Sequence, residues 1–263
     1  IIHIDALPAD IDNHYCPSVE LTGDIARTLS VFTGQILRHD RNALSANVLI
    51  SIQSDRAQLQ LMAANMHGSP VHPLRLVYEL QKLLTDDTTL CLDMGSFHLW
   101  IARHLYTFRA RQVLITNGQQ TLGVALPWAI AASIVRPSEK VLSISGDGGF
   151  LFSSMELETA VRLKSNLVHM VWIDGTYDMV AVQEKAKYGR SSGCDFGPVD
   201  VVLYAQAMGA TGLMIRHPDE IGAVMRQRGL LGEGPGLYPG SMQGIMAYIR
   251  DHPEEGRALM REN

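Results

Sequence analysis

The sequence contains 263 residues, of which 46% are hydrophobic and 19% are charged, as in a globular protein with a sizeable core. The formal net charge of −5 and the dispersed basic residues argue against binding to nucleic acid or to an anionic membrane. The longest apolar run, 122–135, is too short to span a bilayer, and three widely spaced cysteines indicate a reducing, cytoplasmic setting.

The first 70 residues predict a partial domain followed by a linker. Residues 1–5 form an apolar strand, and a polar loop leads from it to a helix over about 24–37. Because one strand and one helix cannot enclose a core, residues 1–40 are expected to be a remnant of a domain in a longer chain. Residues 41–70 are mostly polar, contain a helical stretch over 58–65, and are expected to be a linker.

Helical and strand patterns alternate over 72–135. Apolar residues spaced three or four apart predict a helix with one buried face over 72–87, and a strand follows at 88–93. DMGSFHLWIARHL at 93–105 predicts a strand-to-helix junction that could hold a phosphate oxygen, although the residue types alone favour an ordinary capped helix. Residues 112–135 then predict a strand, a turn and a helix rich in small residues.

Residues 140–177 predict two buried strands joined by a glycine loop and a helix. The apolar runs 140–145 and 167–173 are each followed by an aspartate beside glycine, Asp147 and Asp174. A helix over 154–163 connects them, so the strands should be parallel, with a right-handed crossover. Both aspartates are therefore expected at the same edge of the sheet, where ligands bind.

The chemistry of this edge has two interpretations. Gly146, Gly148 and Gly149 would let the backbone turn tightly and approach a ligand, and the helix start favours a phosphate. Two carboxylates would repel that phosphate unless a cation lies between them, and Mg²⁺ suits such oxygen ligands. The residue types equally allow an ordinary turn at GDGG and a strand-end cap at Asp174.

Residues 200–227 are predicted to complete the sheet, whereas residues 228–263 do not continue the alternation of helices and strands. Residues 200–208 and 218–227 predict helices, with a strand at 211–215 between them. Residues 228–263 begin with a loop rich in Gly and Pro and continue as two short predicted helices interrupted at Pro253. We expect an α/β fold of three layers, with a mostly parallel sheet and helices on both faces.

The GDG sequence, the span after it and the aspartate that ends the next strand resemble the signature of thiamine-diphosphate enzymes. SGDGGFLFSSMELETAVRLKSNLVHMVWID, followed by YDMVAVQEKAKYGRSSGCDFGP, resembles one family, the FAD-independent catabolic acetolactate synthases. The resemblance covers about 1–227 and is more specific than a glycine loop alone. It implies a remnant of the central domain (1–40), a linker (41–70), a domain that binds thiamine diphosphate and Mg²⁺ (71–227), and a divergent tail (228–263).

The resemblance also implies how the cofactor is bound. Asp147, Asp174 and the backbone carbonyl of Thr176 would bind Mg²⁺, although relatives carry Gly at position 176, so Thr restricts the backbone there. Leu122 would lie under the thiazolium and aminopyrimidine rings, where many relatives carry Met, and would keep the cofactor bent. Gln183 would lie beside the reacting carbons. The other implied cofactor contacts are Met94, Gly95, Ser96, Phe97, His98, Gln120, Gly146, Gly148, Gly149, Tyr177 and Met179.

The implied reaction joins two pyruvates to 2-acetolactate with loss of CO₂, and thiamine diphosphate serves as the electron sink. Family members are homodimers or tetramers in which a glutamate on the pyrimidine-binding domain of a partner subunit activates the cofactor. That domain lies upstream, so this chain alone is expected to have little or no activity. Two alternatives stay open: another thiamine-diphosphate decarboxylase or carboligase, such as pyruvate oxidase, and an inactive fold remnant.

Overall fold

The computed structural model describes residues 1–36, 44–68, 70–227 and 243–249, and the chain divides after Gln58 into two compact units. In the first unit, the predicted strand and helix are confirmed, and a second strand that was not predicted pairs with the first in parallel. The helix expected over 58–65 is much longer and extends across the division between the units. These elements are β1 (Ile2–Asp5), β2 (Val19–Thr22), α1 (Ile25–Ile36) and α2 (Leu44–Ala64).

The second unit contains a six-stranded parallel sheet and the helices that cover it. Its strands are β3 (Thr88–Leu92), β4 (Val113–Ile115), β5 (Lys140–Gly146), β6 (Leu167–Ile173), β7 (Thr211–Ile215) and β8 (Gln243–Ile249). Its helices are α3 (Pro73–Leu83), α4 (Ser96–His104), α5 (Ala125–Val135), α6 (Asp147–Ser153), α7 (Glu156–Arg162), α8 (Asp178–Tyr188), α9 (Val201–Ala207) and α10 (Pro218–Gln227).

The sheet is buried on both faces, which confirms the expected three layers. Successive residues of a strand point to opposite faces, so Leu90 and Leu92 pack on one side of β3 and Cys91 packs on the other. Helices α3, α4 and α10 contribute to the first core, and α5, α6, α7 and α9 contribute to the second. This double burial explains why the central strands read as continuous apolar runs.

The strand order β4-β3-β5-β6-β8-β7 contains a topological switch point between β3 and β5. The chain leaves β3 through α4 to reach β4 on one side, and then passes through α5 to reach β5 on the other side. Helices on opposite faces therefore diverge at the carboxyl ends of β3 and β5. Open parallel sheets bind their ligands in the crevice that this divergence leaves.

Two local predictions are wrong. The GDGG sequence does not form a loop: helix α6 begins at Asp147 directly after β5, and the helix predicted over 154–163 follows it as α7. Residues 243–249 form a strand instead of a helix, because β8 pairs with β6 on one side and β7 on the other. Long-range pairing of this kind overrides local propensity. Pro253 and the second helix predicted after it lie outside the described residues.

Within the residues that the structure describes, no helix combines the length and apolarity needed to cross a membrane.

Candidate functional site

Three neighbouring strands are followed by an aspartate at the same edge of the sheet. Asp93 follows β3, Asp147 follows β5, and Asp174 follows β6. Because the strands are parallel, their carboxyl ends all open on this edge, next to the switch point. The sequence predicted two of these aspartates as site residues and missed Asp93, although its position after a buried strand and two residues before a glycine resembles the others.

Asp147 connects the ends of β5 and β6. Its Oδ1 accepts the N–H of Gly148 at 2.9 Å, while Oδ2 accepts the N–H groups of Asp174 at 3.1 Å and Gly175 at 2.7 Å. The residue is 5% exposed, and this burial raises the pKa of the carboxyl although the three hydrogen bonds oppose the effect. The structure pairs Asp147 with no lysine or arginine among the described residues, so a bound cation would meet a carboxylate whose charge is not balanced.

The loop after β6, residues 174–177, is called the metal loop below. Asp174 Oδ1 accepts the N–H of Thr176 at 3.2 Å, which closes a tight turn. The left-handed residue of this turn is Gly175, with φ of 72°, whereas Thr176 has a negative φ. Threonine therefore fits this position without backbone strain, although the sequence comparison with glycine-bearing relatives predicted a restriction here.

The carboxylate and carbonyl oxygens at this edge suit a cation that also binds oxygens of a ligand. The described residues contain no group of three His, Cys, Asp or Glu side chains arranged to hold a metal ion. Two carboxylates and one carbonyl leave several positions of an octahedral shell for phosphate oxygens and water, as is usual for Mg²⁺. The residues present therefore fit a Mg²⁺ ion that is bound together with a diphosphate.

The first turn of α4 forms a buried polar corner beside this edge. Ser96 and His98 are both buried, and His98 is only 4% exposed. Among the described residues, neither ring nitrogen of His98 makes a hydrogen bond of good geometry. Burial lowers the pKa of His98, whereas a weaker side-chain interaction with Asn117 raises it, so the ring is neutral and keeps one N–H donor. A buried donor without a well-formed hydrogen bond, next to the free N–H groups of a helix start, fits a diphosphate oxygen.

Two residues of the same junction serve packing. Phe97 belongs to the hydrophobic core below α4, so its side chain faces away from a ligand and only its backbone N–H is available to one. A Cβ at Gly95 would lie 2.5 Å from the Phe97 ring, which explains why this position carries glycine. Met94, between Asp93 and Gly95, is half-buried at the mouth of the crevice.

The loop before α5 carries Leu122 and is anchored by Asp93. Asp93 Oδ2 accepts the N–H of Gly123 at 2.8 Å, and Oδ1 accepts the N–H of Met94 at 2.9 Å. Asp93 is fully buried, and this burial raises its pKa to about 6 against the effect of its hydrogen bonds. The carboxylate thus fixes half-buried Leu122 relative to Met94. Gln120 is exposed and has φ of 52°.

The two glycines after Asp147 are required by close packing and not by a turn. A Cβ at Gly148 would lie 2.6 Å from the ring of Tyr177, and a Cβ at Gly149 would lie 2.7 Å from Asp93 Oδ2. A side chain at either position would force its neighbour to shift, which destabilises the fold. The GDGG sequence therefore brings α6 against both neighbouring strand ends, while Gly146 lies before it as the last residue of β5.

Helix α8 begins immediately after the metal loop and carries the remaining predicted residues. Met179 is half-buried in its first turn, and Gln183, four residues later on the same side, is exposed to solvent. Asp178 is buried, and its Oδ2 has no hydrogen-bond partner among the residues that the structure describes. The sequence did not single out Asp178 because a helix that begins with aspartate is usually explained by the helix dipole.

These features are typical of one class of protein, the parallel α/β domains that bind a phosphate-bearing ligand at a switch point. Residues 93–236, more than half of the chain, match the family model for the thiamine pyrophosphate enzyme, C-terminal TPP binding domain. The chain belongs to this family. Thiamine diphosphate is accordingly the cofactor that the domain binds, and the predicted family and fold class are confirmed.

Among curated proteins, the chain is similar to catabolic acetolactate synthase of Raoultella terrigena, with 51% identity over 227 residues, 86% of this chain. It is 46% identical over 235 residues, 89% of this chain, to acetolactate synthase of Bacillus subtilis. Pyruvate oxidase of Lactiplantibacillus plantarum is 22% identical over 227 residues, 86% of this chain and 38% of that protein. The chain spans 41% of the length of the two synthases.

A similar solved structure is the thiamine diphosphate-dependent 4-hydroxybenzoylformate decarboxylase of Rhodococcus jostii. The TM-score is 0.62 and the identity is 18%, over 71% of this chain and 34% of the decarboxylase. At this identity the likeness supports the fold alone.

Proposed function

We propose that this chain is the diphosphate-binding part of an acetolactate synthase, which condenses two pyruvates to 2-acetolactate and releases CO₂. The observation that carries the proposal is the 51% identity to a catabolic acetolactate synthase. Identity to a pyruvate oxidase over the same length is only 22%, which favours the synthase over another thiamine-diphosphate decarboxylase or carboligase. The cytoplasm is the compartment we propose, and pyruvate is the proposed substrate.

The proposed role of the metal loop and α6 is to hold Mg²⁺ and the cofactor diphosphate. Asp147, Asp174 and the carbonyl of Thr176 would bind the ion, which would then connect the protein to the diphosphate. This role is supported by the burial of Asp147 without a lysine or arginine partner among the described residues. The free N–H groups of α4 and the unused donor of His98 would bind diphosphate oxygens.

The remaining predicted residues would shape the cofactor and the substrate pocket. Thiamine diphosphate, when bound, supplies the electron sink for decarboxylation of a 2-keto acid. Leu122 and Met179 would pack against its rings, and the anchoring of Leu122 through Asp93 supports this role. Met94 and Gln183 would line the substrate side. As in the family, we propose a homodimer or tetramer whose partner subunit supplies the activating glutamate.

Calorimetric titration of thiamine diphosphate, with and without Mg²⁺, tests the metal–diphosphate site. Asp147→Asn keeps an acceptor oxygen but removes the charge, and it is expected to weaken Mg²⁺-dependent binding at least tenfold (about 1.4 kcal/mol). Asp86→Ala, which removes an exposed carboxylate from a turn, is the control and should bind as the wild-type chain does. Binding that does not depend on Mg²⁺, or that Asp147→Asn leaves unchanged, would exclude the proposed site.

A further inference from the structure

The metal loop is hydrogen-bonded to residues 189–198, the stretch after α8, which we call the closing segment. Two donors converge on the carbonyl of Cys194: the backbone N–H of Tyr177 at 2.9 Å and the side-chain hydroxyl of Thr176 at 3.1 Å. The N–H of Phe196 donates to the carbonyl of Gly175 at 3.2 Å, and Thr176 pairs with Asp195 in an antiparallel bridge. The closing segment therefore forms a short ladder with the loop.

Helix α8 holds the closing segment from a second side. Glu184 Oε2 accepts the N–H of Ser192 at 2.8 Å and lies 3.5 Å from the Sγ of Cys194. Gly193, between these two residues, has φ of 71°, a conformation that lets the chain turn from the helix toward the loop. The result is that Cys194 is only 3% exposed, although most of its neighbours in the segment are exposed.

The side chain of Thr176 contributes directly to the contact between the metal loop and the closing segment. The hydrogen bonds from Tyr177 to Cys194 and from Phe196 to Gly175 use backbone groups, which any residue supplies. The Thr176 hydroxyl is the side-chain contribution, and it is buried, with the residue 5% exposed. A hydrogen bond shielded from water restrains the residue that makes it, and here that residue also carries the carbonyl that is proposed to bind the ion.

We propose that Thr176 is a positioning residue whose hydroxyl holds the closing segment against the metal loop. Ordering of residues 192–196 then strengthens cation binding at the loop, and cation binding in turn strengthens that ordering. The part that concerns the cation rests on the proposed function, whereas the fastening itself does not. Because coupling between two sites is reciprocal, a cation that orders the loop must also strengthen closure of the segment.

The three cysteines provide a direct measure of this closure. Cys194 lies within the closing segment with its side chain buried, Cys16 is exposed, and Cys91 is fully buried in the core, where burial raises its pKa to about 12. Alkylation by iodoacetamide, followed site by site by peptide mass spectrometry, therefore reports local opening at Cys194. Cys16 serves as the reference for reagent activity, and Cys91 reports global unfolding.

The test compares Thr176→Val, Thr176→Ser and a control, Thr159→Val in α7. Valine keeps the shape and branching of threonine, and the Cys194 carbonyl keeps its bond from Tyr177, so the fold is expected to persist. Loss of one hydrogen bond should speed alkylation of Cys194 by about threefold to tenfold. Serine should restore the wild-type rate, and the control should not change it. Wild-type labelling rates in Thr176→Val would overturn the proposal.

The same labelling with Mg²⁺ and thiamine diphosphate present tests the coupling. In the wild-type chain, Mg²⁺ and thiamine diphosphate together should slow alkylation of Cys194 at least twofold. In Thr176→Val, most of this protection should be lost. If calorimetry shows binding but the labelling rate does not change, the coupling is refuted. If calorimetry shows no binding, the proposed function fails by itself, and the comparison of valine with serine still decides whether the hydroxyl fastens the segment.

Discussion

His169 is a buried histidine in the middle of β6 whose ring faces two serines of β5. Ser143 Oγ lies 2.8 Å from Nδ1, Ser145 Oγ lies 3.0 Å from Nε2, and the ring of Phe150 packs nearby at a centroid distance of 5.8 Å. These neighbours are uncharged, so desolvation lowers the pKa of His169 from 6.5 to about 3. The folded protein therefore keeps this ring neutral, and acid should destabilise it.

The size of this effect follows from the two pKa values. Below pH 6.5 the unfolded chain binds a proton at His169, while the folded chain does not until about pH 3. The stability that the neutral ring contributes is complete above pH 6.5 and is lost, as pH falls, at about 1.4 kcal/mol per pH unit. Between pH 6.5 and 4.5 the loss is about 3 kcal/mol, a large part of the 5–15 kcal/mol that is roughly usual for a domain.

Asp93 has the opposite effect over nearly the same pH range. Its pKa is raised from 3.8 to about 6, so the folded chain takes up a proton there before the unfolded chain does. The stability contributed by Asp93 is complete below pH 3.8 and is lost as pH rises through about 6. The wild-type profile contains both effects, and only the difference between wild type and a variant without the histidine isolates His169.

Urea unfolding at several pH values, followed by tryptophan fluorescence, measures this difference. All three tryptophans, Trp100, Trp128 and Trp172, lie in the second unit, as His169 does. His169→Gln keeps an amide that can bond both serines but cannot titrate. The free-energy difference between wild type and this variant should shrink by about 3 kcal/mol from pH 6.5 to 4.5. A difference independent of pH would refute the reasoning.

Four further substitutions test the packing of the second unit. Gly149→Ala would place a Cβ 2.7 Å from Asp93 Oδ2 and should lower the free energy of unfolding by about 1–3 kcal/mol, whereas Gly118→Ala, with open space around the new Cβ, should change it by less than about 0.5 kcal/mol. Equal effects of the two alanines in urea unfolding would contradict the close contact. Arg75→Met would remove the 2.8 Å partner of buried Glu79, which keeps only Lys82 at 3.0 Å, and should cost about 1–3 kcal/mol; a second change, Glu79→Leu, should restore part of this in thermal unfolding, because the bonds of Arg75 to Asp219 and to the carbonyls of Ala64 and Met66 stay lost.

Most elements of the second unit could be predicted from the sequence. Parallel strands that are buried on both faces need apolar side chains at every position, so 140–145 and 167–173 were recognisable as strands without any partner. Helix α10 and strand β7 have the bounds that their local patterns predicted. The fold class and the family were confirmed because the motifs that carry them are local and keep a fixed spacing.

The predicted site residues followed from the same local logic. An aspartate directly after a buried strand must lie at the edge where the other parallel strands end, so the residue order alone brings Asp147 and Asp174 together. Asp93 was missed because its role consists of accepting backbone N–H groups from a loop about 30 residues away.

By itself, the sequence determined most of the strands and helices between residues 72 and 227, the two-sided burial of the sheet and the presence of aspartates at its carboxyl edge. These depend on periodicity and on residue type, which are properties of short segments. Only the tertiary structure decided that β8 lies between β6 and β7, that GDGG starts a helix, and that Thr176 reaches Cys194. Each of these depends on contacts with residues distant in the chain, and the local sequence pattern does not reveal the free energy of such contacts.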